Sequence, residues 1–241
     1  MRQDYFVFND FRSLDCNVIL SQVKTESTPK RELVFSPVPG RNGDMLQDQK
    51  RWGNVKISYS CAIIKEFPTY YQALKNGLYK STGYHRLEDT IHPDEFRIGA
   101  FCEALEPKTA RYNQTGTFDV VFNCKPQRFL KSGEIAVCFS EDGSLHNGTA
   151  FAALPQITVF GAGAGLLRIG KYSVEIKSIT EPLILDCDMQ NAYSIGADGG
   201  VINQNAEIYA PEFPKLLPGD NTVTWEGDIS ALEIVPRWWM L

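Results

Sequence analysis

Apolar and polar positions alternate along most of the chain. In residues 118–130 (FDVVFNCKPQRFL), Phe118, Val120, Phe122 and Cys124 fall on one face and Asp119, Val121, Asn123 and Lys125 on the other. That period of two marks a half-buried strand. Pro126 has no N–H to donate and predicts the end of the ladder, and a different pattern starts after Gly133. We therefore expect a first domain over residues 1–132, a hinge, and a second domain over 133–241; about 100–150 residues per domain is an ordinary size.

The same period runs through 5–8 (YFVF), 16–23 (CNVILSQV) and 31–38 (RELVFSPV). In 54–65, Val55, Ile57, Tyr59, Cys61 and Ile63 alternate with Lys56, Ser58 and Ser60. Between 31–38 and that return strand, Pro39, Gly40 and the Asn42–Gly43 pair predict a hairpin tip. One stretch changes period. Over 67–83 (FPTYYQALKNGLYKSTG), Phe67, Tyr70, Tyr71, Leu74 and Leu78 recur at helical spacing. Thr69 and Gln72 are spaced as a capping box, and Gly83 stands as the stop. A single amphipathic helix among strands is expected to lie across an open sheet end. Strands at 94–105 and 115–125, with a loop at 106–114, complete the first domain.

After the hinge, 134–140 and 155–160 read as strands. The run FGAGAGLLRIGKYSVEIKSI reads as apolar segments separated by glycines, as in a hairpin, with a tight turn at Gly161, Gly163 and Gly165. Residues 183–189 and 192–195 follow, then a glycine-rich loop at 196–200 and a closing run to Leu241. Short strands without helical period predict a β-sandwich. The fold class is mainly β with one α-helix.

Composition sharpens this picture at three points. Aromatics at 12% favour β-structure. A formal net charge of −5 argues against a surface that grips nucleic acid, though like charge lets DNA pass without sticking. The six cysteines lack CxxC spacing and mostly lie in apolar runs, so buried, reduced thiols are expected. The opening MRQDYFVFND carries no charged-then-apolar leader, and no apolar run has the length of a membrane span.

Candidate chemistry is sparse. The glycine cluster precedes a strand pattern, so no helix N-terminus is expected to hold a phosphate. His85, His92 and His146 are expected in polar loop regions and lack metal-ligand spacing. Asp186 and Asp188, two apart on an expected strand, would share a solvated face; with Asn191 they are at most a weak calcium candidate. No GxSxG motif occurs. We assign no catalytic, cofactor or metal residue and expect no enzyme. The terminal PRWWML needs cover, either in a packed core or at an interface.

Six stretches, in order, resemble the distal tail proteins of long, non-contractile-tailed bacteriophages. They are VPGRNGD with the following strand (38–65), STGYHRL (81–87), FDVVFNCKPQRFL (118–130), ALPQITVFGAG (153–163), LILDCDMQNAY (183–193) and FPKLLPGDNTVTWEG through VPRWWML (213–241). The resemblance implies an N-terminal domain related to tail-tube proteins, a β-sandwich or split barrel with one α-helix. It implies a C-terminal galectin-like β-sandwich. It further implies a homo-hexameric ring at the virion tail tip, made in the host cytoplasm, with a central channel through which DNA passes as cargo. One face of the ring would join the major tail tube protein, the other the tail-associated fibre or lysin, and receptor-binding proteins could attach at the periphery. Neither a cofactor nor a membrane is implied. Interface candidates are Arg41, Asn42, Gly43, Asp44 and Trp52 in the 39–53 hairpin, Lys108 and Arg111 in the 106–114 loop, and Trp238 and Trp239. The rival reading is a carbohydrate-binding β-sandwich for cell-wall glycans, for which Trp225 is the one internal tryptophan of the second domain; fold alone does not carry sugar binding. A wall hydrolase is the third.

Overall fold

The structure is a computed structural model that describes residues 3–241. It is mainly β with one α-helix. The chain forms two compact units, the first ending at Arg128 and the second running Phe129–Met240.

The first unit contains β1 (Phe6–Phe8), β2 (Phe11–Arg12), β3 (Ile19–Glu26), β4 (Arg31–Ser36), β5 (Met45–Trp52) and β6 (Val55–Ile63). Helix α1 (Phe67–Lys80) follows, then β7 (His85–Asp89), β8 (Glu95–Phe101), β9 (Lys108–Ala110) and β10 (Thr115–Leu130), which continues into the second unit. The main sheet has the order β2-β1-β7-β8-β10-β6-β3, with β9 also on β10, while β4 and β5 form a sheet of their own. Alternation in β6 and β10 does what the pattern demands. Val120 faces Tyr59 and Phe122 faces Ile57 across the ladder, and all four are fully buried. Phe6 stacks on Tyr59 at 5.6 Å and meets Phe122 edge-on at 5.5 Å. Each such side chain contributes roughly 1.5–3 kcal/mol through burial. Helix α1 closes this core with Phe67, Leu74 and Leu78.

The second unit contains β11 (Val137–Phe139), β12 (Gly143–Asn147), β13 (Gln156–Ile169), β14 (Tyr172–Ile179), β15 (Leu183–Asp186), β16 (Asn191–Ile195), β17 (Val201–Asn203), β18 (Ile208–Tyr209), β19 (Gly219–Val235) and β20 (Trp239–Met240). Its frame is the antiparallel pair β13–β19. The first part of β13 pairs with β15 and the last part with β14; β19 pairs with β12 early and β11 late. The register breaks between these parts, at Gly161 to Gly165. A Cβ on Gly161 would stand 2.2 Å from the Asp228 carbonyl oxygen, and one on Gly227 (φ +86°) 2.5 Å from that of Ala164. Only glycine permits the two backbones to approach there. The bend folds the ladder over a core of Ile157, Val159, Leu167, Ile169, Leu185, Val223 and Ile234.

Several expectations are corrected. The glycine cluster is a bend inside the continuous strand β13, not a hairpin turn. Pro126 does not end β10, which runs to Leu130; the last β6 partner of β10 is Cys124, so the missing N–H of Pro126 costs that ladder nothing. The hairpin that begins in β4 returns through β5, a polar strand, and not through 54–65. Residues 13–16 form a 3-10 turn, so β3 begins only at Ile19. Thr69 lies within α1, which starts after Glu66 in a left-handed conformation (φ +50°) with no side-chain cap. Asp186 ends β15, so Asp188 lies in a turn and the two share no solvated face; Asp186 is buried.

Candidate assembly surfaces

The β4–β5 hairpin carries Arg41, Asn42, Gly43, Asp44 and Trp52. Phe35 is paired with Leu46 and Leu33 with Asp48, so Leu33, Phe35 and Leu46 share one face; Val34 and Met45 lie on the other. Phe35 is 61% exposed, Leu46 56% and Met45 55%. An isolated two-stranded hairpin is marginal in water, and here its apolar side chains remain open. Its base is fastened by polar contacts. The Arg31 guanidinium pairs with Asp48 and lies 5.5 Å over the Trp52 ring. Arg31 and the Lys50 N–H hold the Asp48 carboxyl below its usual range. At the tip Arg41, Asn42, Gly43 and Asp44 are exposed, with the Arg41 N–H donated to Val38 O at 3.2 Å and Gly40 and Gly43 at positive φ.

Lys108 and Arg111 sit on a second hairpin, β9–β10, in which Lys108 is paired with Thr117. Its turn places three successive non-glycine residues in the left-handed region: Arg111 (φ +51°), Tyr112 (+55°) and Asn113 (+62°). Tyr112 is 101% exposed. The turn is tied to α1, because Gln114 O accepts the Phe67 N–H at 3.2 Å.

Trp238 and Trp239 are docked within the second unit, each partly open. Trp239 stacks on Phe151 at 4.6 Å and donates its indole N–H to Ala152 O at 3.0 Å. Trp238 O accepts the Leu130 N–H at 2.9 Å, and its backbone packs on Gly133, where a Cβ would come within 2.3 Å of the Trp238 nitrogen. Trp225 is half-buried against the core and donates to Ile229 O at 3.0 Å, so its ring is engaged in packing.

Sequence reading missed a polar network inside the first unit. The Tyr59 hydroxyl donates to Asp89 at 2.7 Å, and Asp89 also accepts the backbone N–H of Ile91 and His92. His92 Nδ1 lies 3.0 Å from Asp89 and its Nε2 3.9 Å from Glu26. Glu26 pairs with Arg97 and, at 3.5 Å, with Arg128, whose Nε lies 3.4 Å from Glu95. Burial, reinforced by Asp89, drives the Tyr59 phenol well above its ordinary pKa. One signal was available: Glu95 and Arg97 occupy alternate positions of a strand. Among the described residues no cluster of His, Cys, Asp or Glu is arranged to hold a metal ion, and no helix is long and apolar enough to cross a membrane. Both hairpins carry exposed apolar or aromatic side chains, Phe35, Leu46 and Met45 on the first and Tyr112 on the second.

The two-unit architecture is the fold of phage hub and baseplate proteins. No protein-family model and no curated protein sequence matches the chain. Among solved structures, Dit of phage SPP1, described as a paradigm of the hub adsorption apparatus in phages infecting Gram-positive bacteria, aligns over 100% of both chains with a TM-score of 0.75 at 10% identity. A chain of the phage P2 baseplate in its activated conformation with calcium aligns over 97% of this chain and 98% of its own, with a TM-score of 0.55 at 9% identity. The same baseplate with strontium gives 0.54 over 97% of each chain at 10% identity. At such identities the likeness is one of fold.

Proposed function

We propose that this chain is a distal tail protein whose six copies close into a ring at the phage tail tip. The ring joins the tail tube to the tail-associated fibre or lysin and leaves an axial channel for DNA. The first unit, tail-tube-like, builds the ring; the second, a galectin-like sandwich, stands at the periphery and can hold receptor-binding parts. The chain makes and breaks no covalent bond in this role.

The observation that carries the reading is the end-to-end agreement of both units with a phage hub protein. The β4–β5 hairpin supports it independently, since a marginal two-stranded element with Phe35, Leu46 and Met45 open is suited to an assembly and poorly suited to a lone chain. Two different surfaces meeting head to tail close a ring when the rotation allows it. Multi-angle light scattering on the purified chain tests this. A mass near six chains is expected; a single-chain mass at every concentration contradicts it.

A further inference from the structure

The first unit carries a finger and a recess at opposite ends of one helix. The finger is the β9–β10 turn, fastened to the first turn of α1 by the hydrogen bond from Phe67 N–H to Gln114 O and by the Phe67 ring packed against Gly116. The recess, about 320 Å³, lies at the last turns of α1, between Asn76, Gly77 and Lys80 on the helix and Asn9, Asp10 and Phe11 on the β1–β2 turn. Fourteen residues of helix span about 21 Å. The two features are therefore displaced along the helix and cannot meet within one copy.

From this geometry we infer that Tyr112 of one copy enters the Asn9–Phe11 and α1 recess of the next copy, with Arg111 beside Asp10. Three features of the chain favour this occupant. A finger and a recess on different parts of one surface make a heterologous contact, which repeats head to tail and closes a ring. Charge is complementary: Lys108 and Arg111 flank the finger, while the recess offers Asp10 and the C-terminal end of α1, the negative end of the helix dipole. Lys80 is the one opposing charge, and its long stem can turn its head to solvent. Finally, three left-handed non-glycine residues in succession make a strained turn that persists only where the surrounding structure holds it, and that turn presents a wholly exposed aromatic residue. Exposed tyrosine and arginine are the residue types that dominate interface energies.

This contact rests on the ring reading above, and sedimentation velocity separates the two. Tyr112→Gly relieves the strain, so its thermal midpoint is expected to hold or rise while self-association weakens tenfold or more. Arg111→Glu is expected to weaken association likewise, and adding Asp10→Arg to it to restore most of the loss. If the parent chain associates and both single variants associate equally well, the finger is not at the interface although the ring stands. If Arg111→Glu weakens association and Asp10→Arg does not restore it, the recess is not the receiver. A parent chain that never associates overturns the ring and the contact together.

Discussion

Asp186 and Arg237 hold the end of the chain in place. The guanidinium meets the carboxylate with two hydrogen bonds of 2.9 Å, and Asp186 also accepts the N–H groups of Asp188 and Met189 at 3.1 Å. Burial alone would raise the Asp186 pKa; Arg237 and the two N–H donors outweigh it and hold the group below its usual value. A lowered pKa stabilises the fold above the unfolded value of about 3.9, and the contribution is lost as pH falls through the folded value. Asp186→Asn is expected to cost about 3 kcal/mol at neutral pH, because it leaves Arg237 without its charge partner. Urea unfolding at pH 7 and pH 3 checks this, since the variant should lose less than the parent on acidification. Thiols give a second residue-scale test. Cys16, Cys61, Cys124 and Cys187 are buried, with burial pushing Cys124 and Cys187 up to about 12, while Cys102 and Cys138 are exposed. A maleimide should modify two thiols rapidly in the folded protein and the other four only after unfolding; fast labelling of six would refute the packing. Apolar neighbours made the four buried cysteines legible, but the expectation of burial fails for Cys102 and Cys138, which are exposed. It did not make the Asp186–Arg237 pair legible, because partners 51 residues apart leave no periodic signal.

At the scale of elements, legibility followed periodicity. The alternating strands β6 and β10 and the helical spacing of α1 could be read directly, because each buries one face. Strand β5 (MLQDQKRW) could not: no face of it is covered, so its sequence carries no alternation. The bend in β13 was visible as glycines but not as a bend, because close approach to β19 is a tertiary fact. Gly161→Ala is expected to cost about 2 kcal/mol or more through the clash with the Asp228 carbonyl, measurable as a lowered denaturant midpoint. Gly77 behaves similarly within α1. Alanine there should gain about 1 kcal/mol of helix propensity, yet its Cβ would fall 2.2 Å from the Phe11 ring, so a net loss of stability is expected. The hairpin responds the other way. Phe35→Ser with Leu46→Ser should leave the thermal midpoint of the separated chain nearly unchanged, as exposed substitutions do, and weaken self-association at least tenfold in sedimentation. An unfolded variant would show instead that these side chains are buried by their own chain.

For the whole molecule, the mainly β class with a single helix was readable from the sequence, and the hub fold from the order of six short stretches. Which surfaces meet was not, because exposed positions answer to partners and carry no internal period. Tip residues such as Asn42 and Gly43 marked a turn without revealing the apolar face of Phe35 and Leu46 beneath it. The most direct test of the central claim, self-association around an open axis, is negative-stain electron microscopy of the purified chain. Particles with sixfold symmetry and a stain-filled central hole are expected. Compact particles of single-chain size, without a hole at any concentration, would contradict it.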